Sequence, residues 1–276
     1  LMHTTTGGAA RVLAWMERWL QTEWPDLKVY LTSATDHWAT SIVVGPKSRH
    51  VIKKICQDID FDDAAFPFMS YREGTIAGIP ARIMRISFSG ERSYEVNVAA
   101  KDGLRVWEAI HAAGAEFGIT PYGTETMHVL RAEKGYIIIG QDTDGSVTPF
   151  DLGLGGLVAK TKDCLGKRSL TRSDTQRPNR KQLVGLLTDD PMVVLPEGAQ
   201  ITNSANLVAT PVPMEGHVTS SYMSPTVGRS IAMALVKGGL NRMTESVYLP
   251  LADGRTVKAT ICSPVFFDPK SERQNA

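Results

Sequence analysis

The sequence is poor in the residues that announce most kinds of chemistry. It carries three cysteines in 276 residues, Cys56, Cys164 and Cys262, far apart and without CxxC or Cys/His spacing. That excludes a zinc framework and a disulfide scaffold, and an odd cysteine count without a framework suits a reducing, cytoplasmic compartment. No apolar run approaches the ~20 residues of a spanning helix, so no membrane role is expected. No secretory leader is visible at the start.

An excess of one charge is lacking too. Thirty Lys and Arg face 29 Asp and Glu. Without a basic stripe, nucleic acid is not an expected partner. The histidines are scattered and none pairs at helical spacing with a third ligand, so no metal site is expected. A GxSxG nucleophile elbow is absent. Gly153-Leu154-Gly155-Gly156 lacks the third glycine of a dinucleotide loop, Val158 standing in its place. No flavin or nicotinamide site is therefore expected within these residues. Asp58, Asp60, Asp62 and Asp63 lack the spacing of a calcium loop and read as a solvated surface.

What is present is patterned apolar sequence, 42% of the chain. Ala9, Val12, Leu13, Met16, Trp19 and Leu20 recur at helical spacing, predicting a helix over 8–23 that Pro25 ends. Residues 29–32 and 38–44 read as strands, followed by a helix carrying Val51, Ile52 and Ile55. Residues 74–98 read as paired strands with Ser89-Gly90 near the bend. Two helices follow, one capped by Asp102 and closed by Gly118, the other over 123–134. The polar stretch 172–181 reads as a linker. Beyond it, short strand-like runs at 183–187, 207–210, 216–221, 230–236, 246–251 and 256–262 predict a small β-barrel. The expected fold class is therefore α+β: a mixed sheet-and-helix domain over 1–171, the linker 172–181, and a C-terminal barrel over 182–276. Leu1 to Gly8 read as a strand end running into a helix cap, so a fragment of a longer protein is expected.

One carboxylate stands out. In Ser93-Tyr94-Glu95-Val96-Asn97-Val98, the alternation puts Tyr94, Val96 and Val98 on one face and Glu95 and Asn97 on the other. Glu95 reads either as a solvent-facing strand residue or as a carboxylate facing a cleft. In the second case it accepts two parallel hydrogen bonds, such as a pterin ring N–H and its exocyclic amine present. The pattern alone leaves both open.

The order of several motifs points further. Gly216 to Gly228, with Gly216-His217-Val218-Thr219-Ser220-Ser221 at its head, resembles the signature strand and turn of the glycine-cleavage T-protein family. Ser87-Phe88-Ser89-Gly90-Glu91-Arg92-Ser93-Tyr94-Glu95 resembles that family's TGYTGEDGFE hairpin. Leu130 to Gly135, Gly140 to Asp144, Thr148-Pro149-Phe150, Gly153-Leu154-Gly155 and Asp163 to Lys167 follow in the family's order. Val43 to Lys47 matches its QGPKA turn. The resemblance spans nearly the whole chain.

The resemblance implies an aminomethyltransferase-like fold that binds tetrahydrofolate. It places Glu95 on the pterin-binding glutamate and Phe88 on a ring-lining tyrosine, with loss of the hydroxyl. Met127 falls where T-proteins usually have an arginine. Arg180 and Lys181 fall near a basic stretch that meets the glutamate tail of folate, or else belong to a solvated linker. The ends of the chain are similar to the alpha subunits of heterotetrameric flavoenzymes that demethylate sarcosine. Those enzymes hand the one-carbon unit to tetrahydrofolate or release it as formaldehyde. Flavin and NAD are then expected elsewhere in the parent complex, with a flavin-bearing beta subunit as partner. The family's catalytic aspartate lies before the position of Leu1, so no catalytic residue is assigned here and the fragment alone is expected to be inactive. The alternatives are an aminomethyltransferase proper and a non-catalytic domain that docks the flavin subunit.

Overall fold

The computed structural model describes residues 1–275. They divide into two compact units: residues 1–87 and 91–120 with 274–275, and residues 88–90 with 121–273.

In the first unit, helix α1 (Ala9–Thr22) precedes β1 (Trp38–Val44), α2 (Ser48–Ile55), β2 (Ser70–Ile76), β3 (Ile79–Arg85), β4 (Ser93–Ala99) and α3 (Gly103–Gly114). The four strands form one antiparallel sheet in the order β1-β4-β3-β2. Val43, Ile83, Tyr94, Val96 and Val98 point to one face, where Val51 and Ile52 of α2 and Val106 and Ile110 of α3 cover them. Helix periodicity and strand alternation meet here, because each element offers one apolar stripe and buries it against the other. Phe61, Phe66 and Tyr94 pack as a ring cluster with centroids 5.5–5.9 Å apart.

The tight turn of 70–85 lies at Ala77-Gly78, joining β2 to β3, whereas Ser89-Gly90 sits in the longer β3–β4 connection. The expected strand at 29–32 is not formed. Val29 and Tyr30 are exposed, Tyr30 by 99%. Strand propensity without a partner edge does not make a strand.

In the second unit, α4 (Thr124–Glu133) leads through turns to β5 (Lys181–Thr188), β6 (Gln200–Ile201), β7 (Gly216–Ser224), β8 (Arg229–Lys237), β9 (Ser246–Pro250) and β10 (Thr256–Cys262). These strands form a six-stranded sheet in the order β6-β7-β8-β5-β10-β9. A bridge between Thr202 and Tyr248 brings its two ends together into a nearly closed barrel. Val184, Leu186, Val218, Ala234, Val236, Leu249 and Ile261 fill the interior. On the outside, Leu183, Ile231, Met233 and Leu235 pack on Ala132 of α4. The expected run at 207–210 is not a strand, and Pro211 and Pro213 just beyond it remove the amide donors a ladder needs.

Candidate functional site

The motif residues separate into framework and surface once placed. Arg131 of α4 and Asp142 are fully buried and paired. Arg131 Nη2 also donates to Ser220 Oγ at 2.7 Å, and Asp142 Oδ1 accepts from Thr219 Oγ1 and Ser220 Oγ, each at 2.6 Å. Asp142 Oδ2 accepts the Ile138 amide at 2.9 Å. This network ties α4 and the following loop to β7. Buried Glu133 accepts from Ser224 Oγ at 2.6 Å, and Lys134 is held by Asp268 at 3.2 Å. Gly90 adopts φ +82°, and a Cβ there would lie 2.2 Å from the Lys134 side chain. Arg131, Glu133, Lys134 and Asp142 are buried and hold the fold together through these bonds.

Arg180 joins the framework. Its Nε lies 3.0 and 3.1 Å from the Asp151 carboxylate oxygens, its Nη2 2.8 Å from Oδ2, and its Nη1 3.0 Å from Asp174. The side chain is buried, Asp151 holds the guanidinium above its ordinary pKa, and Arg180 in turn helps hold the Asp151 carboxyl low against the cost of its burial. Neither reading from the sequence, tail anchor or solvated linker, describes that placement.

Glu95 is different. It lies midway along β4 on the face that α2 and α3 do not cover. The register puts Ile42 of β1 and Met84 of β3 on its two sides, with Tyr71 of β2 beyond Met84. Next to it on the same face, Asn97 is buried, accepts Thr40 Oγ1 at 2.7 Å and donates to the Glu95 carbonyl at 3.2 Å. The Glu95 side chain is half-buried among apolar neighbours, and desolvation raises its pKa. No donor or cation among the described residues pulls it back down. A carboxylate desolvated in this way gains from a ligand that donates N–H groups to it.

Trp38, Arg82 and Tyr71 flank this position. The Arg82 guanidinium lies 5.4 Å from the Trp38 ring centroid and 5.5 Å from that of Tyr71, and it pairs with Glu73 at 2.6 Å. Sequence reasoning passed these residues over, since they come together only through the strand register. Phe88 belongs to the second unit, is 38% exposed, and stacks on Tyr136 with centroids 6.3 Å apart. Met127 is half-buried on α4. Among the described residues no cluster of His, Cys, Asp or Glu is arranged to hold a metal, and no helix is long and apolar enough to cross a membrane.

A helix-backed antiparallel sheet with an open face, joined in one chain to a nearly closed barrel, is the architecture of aminomethyltransferase-like proteins. The chain belongs to the glycine cleavage T-protein family: the GCVT N-terminal domain matches residues 1–162, and the glycine cleavage T-protein C-terminal barrel domain matches residues 181–268. It is 53% identical to sarcosine oxidase subunit alpha of Corynebacterium sp. (strain U-96), over 100% of this chain and 29% of that protein. It is 43% identical to the same subunit of Rhizobium meliloti (strain 1021), over 99% of this chain and 28% of that one. It spans less than a third of these relatives and matches their C-terminal part. An aminomethyltransferase of Streptomyces avermitilis is 35% identical over 73% of this chain and 52% of its own length. Among solved structures, aminomethyltransferase T of the Bartonella henselae glycine cleavage system superposes with a TM-score of 0.72 at 20% identity, over 94% of this chain and 66% of that one.

Proposed function

We propose that this chain is the tetrahydrofolate-binding C-terminal part of a sarcosine oxidase alpha subunit. In that reading it binds the folate that accepts the one-carbon unit from oxidative demethylation of sarcosine. The observation that carries it is Glu95: a half-buried carboxylate on an open sheet face, without a protein donor, at the position of the family's pterin-binding glutamate. A pterin supplies the two missing donors from one edge. Flavin and NAD sites belong elsewhere in the longer protein and its flavin-bearing beta subunit.

The role of these residues is to bind and orient folate. The carboxylate assigned to catalysis in the family has no counterpart in this chain. Purified alone, the chain therefore turns over neither sarcosine nor a methylene donor; steady formaldehyde release without other subunits would overturn this. The binding claim is tested by calorimetric titration of tetrahydrofolate under reducing conditions, with Glu95→Gln as control. Heat of binding that the substitution abolishes supports the reading. Equal affinity in both proteins would sink it.

A further inference from the structure

Arg82 is built as a preorganised donor beside Glu95, and neither its sequence position nor the folate reading assigns it a role. It sits on β3 directly opposite Asn97, and Glu95 is two residues along from Asn97 on the same face of β4. Such diagonal neighbours are ~7–8 Å apart at the backbone, within reach of one small ligand. The guanidinium lies over the Trp38 ring of β1 and the Tyr71 ring of β2. Cation–π contact with two rings restrains a side chain that otherwise has several rotatable bonds.

Glu73 takes one edge of the fork, with Nε at 3.1 Å and Nη2 at 2.6 Å from Oε1. Nη1 has no acceptor among the described residues. An arginine held by two rings and along one edge, with its remaining nitrogen open, is ready to donate at small entropic cost. It donates nothing to Glu95, so the two groups do not quench each other.

A 2-amino-4-oxopteridine matches this pair. Its N3–H and 2-amino group donate to a carboxylate, and its 4-oxo oxygen, beside N3 on the other side, accepts. We propose that Arg82 Nη1 donates to the 4-oxo oxygen of the pterin that Glu95 holds, so that the Glu95–Arg82 pair selects 4-oxo over 4-amino pteridines. The inference rests on the folate reading above and adds to it a specificity residue. A 4-amino group in that position turns an N–H donor toward the guanidinium and leaves Nη1 unpaired, which is how a site built to hydrogen-bond one group rejects its analogue.

The test compares tetrahydrofolate with tetrahydroaminopterin, whose 4-amino group replaces the oxo acceptor and also leaves N3 without the hydrogen that Glu95 would accept, by calorimetry on the full chain under reducing conditions. The wild type is expected to prefer tetrahydrofolate by roughly tenfold or more, as one charge-assisted hydrogen bond gained or lost provides. Arg82→Met keeps the aliphatic stem between the rings and is expected to weaken tetrahydrofolate alone, narrowing the preference by the share Arg82 supplies and leaving the share that N3–H contributes through Glu95; Arg82→Lys restores part of it. Thermal melts check that the variants fold. Should Arg82→Met fail to fold, Arg82→Gln takes its place in the same comparison. Equal wild-type affinities for the two compounds would overturn the assignment of Arg82 while leaving the folate reading intact, as would an unchanged tetrahydrofolate affinity in a folded Arg82→Met. Binding of neither compound, or binding that survives Glu95→Gln, overturns the underlying reading and this inference with it.

Discussion

At the scale of single residues, the burial of Glu95 carries a cost in stability. Burial raises its pKa, so the native state resists ionising it. The stability associated with the neutral form is fully present below the ordinary glutamate pKa and is lost as pH rises through the raised one. Glu95→Gln is neutral at every pH and escapes that loss. The variant is therefore expected to melt higher than the wild type at neutral pH, with the gap closing as pH falls toward the ordinary carboxylate range. Under the folate proposal, affinity of the wild type runs the other way, weakening as Glu95 is protonated on acidification. Paired melting curves and titrations across that window check both signs. A gap in melting temperature that widens on acidification would contradict the burial argument.

Alternation alone put Glu95 on the face opposite Tyr94, Val96 and Val98, and left open whether that face meets solvent or a cleft. Its surroundings were not legible. Ile42, Met84, Trp38 and Arg82 reach it through strand register, and register depends on which strands pair. Arg180 shows the opposite error of scale. As one residue in a polar run it looked solvated or ligand-facing, yet Asp151, 29 positions earlier, takes most of its donors.

At the scale of elements, the motifs that marked the family turned out to be fasteners. The strands of the barrel were legible because their alternation must satisfy one closed interior, and β5, β7, β8, β9 and β10 fall on runs visible in the sequence. β6, of two residues, was too short to leave a pattern. The Arg131–Asp142 pair was not legible, since nothing in α4 says that a loop carboxylate will fold back on it. It is the element contact most exposed to disruption. Both side chains are fully buried, and Asp142 takes the Thr219 and Ser220 hydroxyls as well. Arg131→Ala leaves Asp142 as a buried charge without its cation, which costs about 3–5 kcal/mol. Urea denaturation at unchanged slope measures it. A loss below about 1 kcal/mol would mean that water or rearrangement supplies what Arg131 does, and that β7 is held by packing alone.

At the scale of the whole molecule, the first unit leaves several large apolar side chains exposed. Helix α1 has a clear apolar stripe, yet none of its residues is buried. Trp15 is 51% and Trp24 45% exposed, and Leu27, Val29, Trp38, Ile42 and Tyr71 are exposed as well. In amphipathic elements such stripes exist to be covered, and uncovered ones of this extent drive association. The curated relatives are more than three times as long as the matched region, which gives them ample chain for the purpose. The isolated chain is accordingly expected to self-associate through α1. Sedimentation velocity should show a concentration-dependent shift to species heavier than the 30.1 kDa chain. Because the driving force is burial of apolar area rather than charge pairing, added salt should not dissociate them. Replacing Trp15 and Trp24 together with serine removes the two largest exposed rings near α1, both of which pack on the half-buried Trp19, and is expected to return the chain to monomer, with melts checking that the first unit still folds. A wild type that stays monomeric at high micromolar concentration would show that α1 lies against its own unit in solution, and its stripe would then count as core.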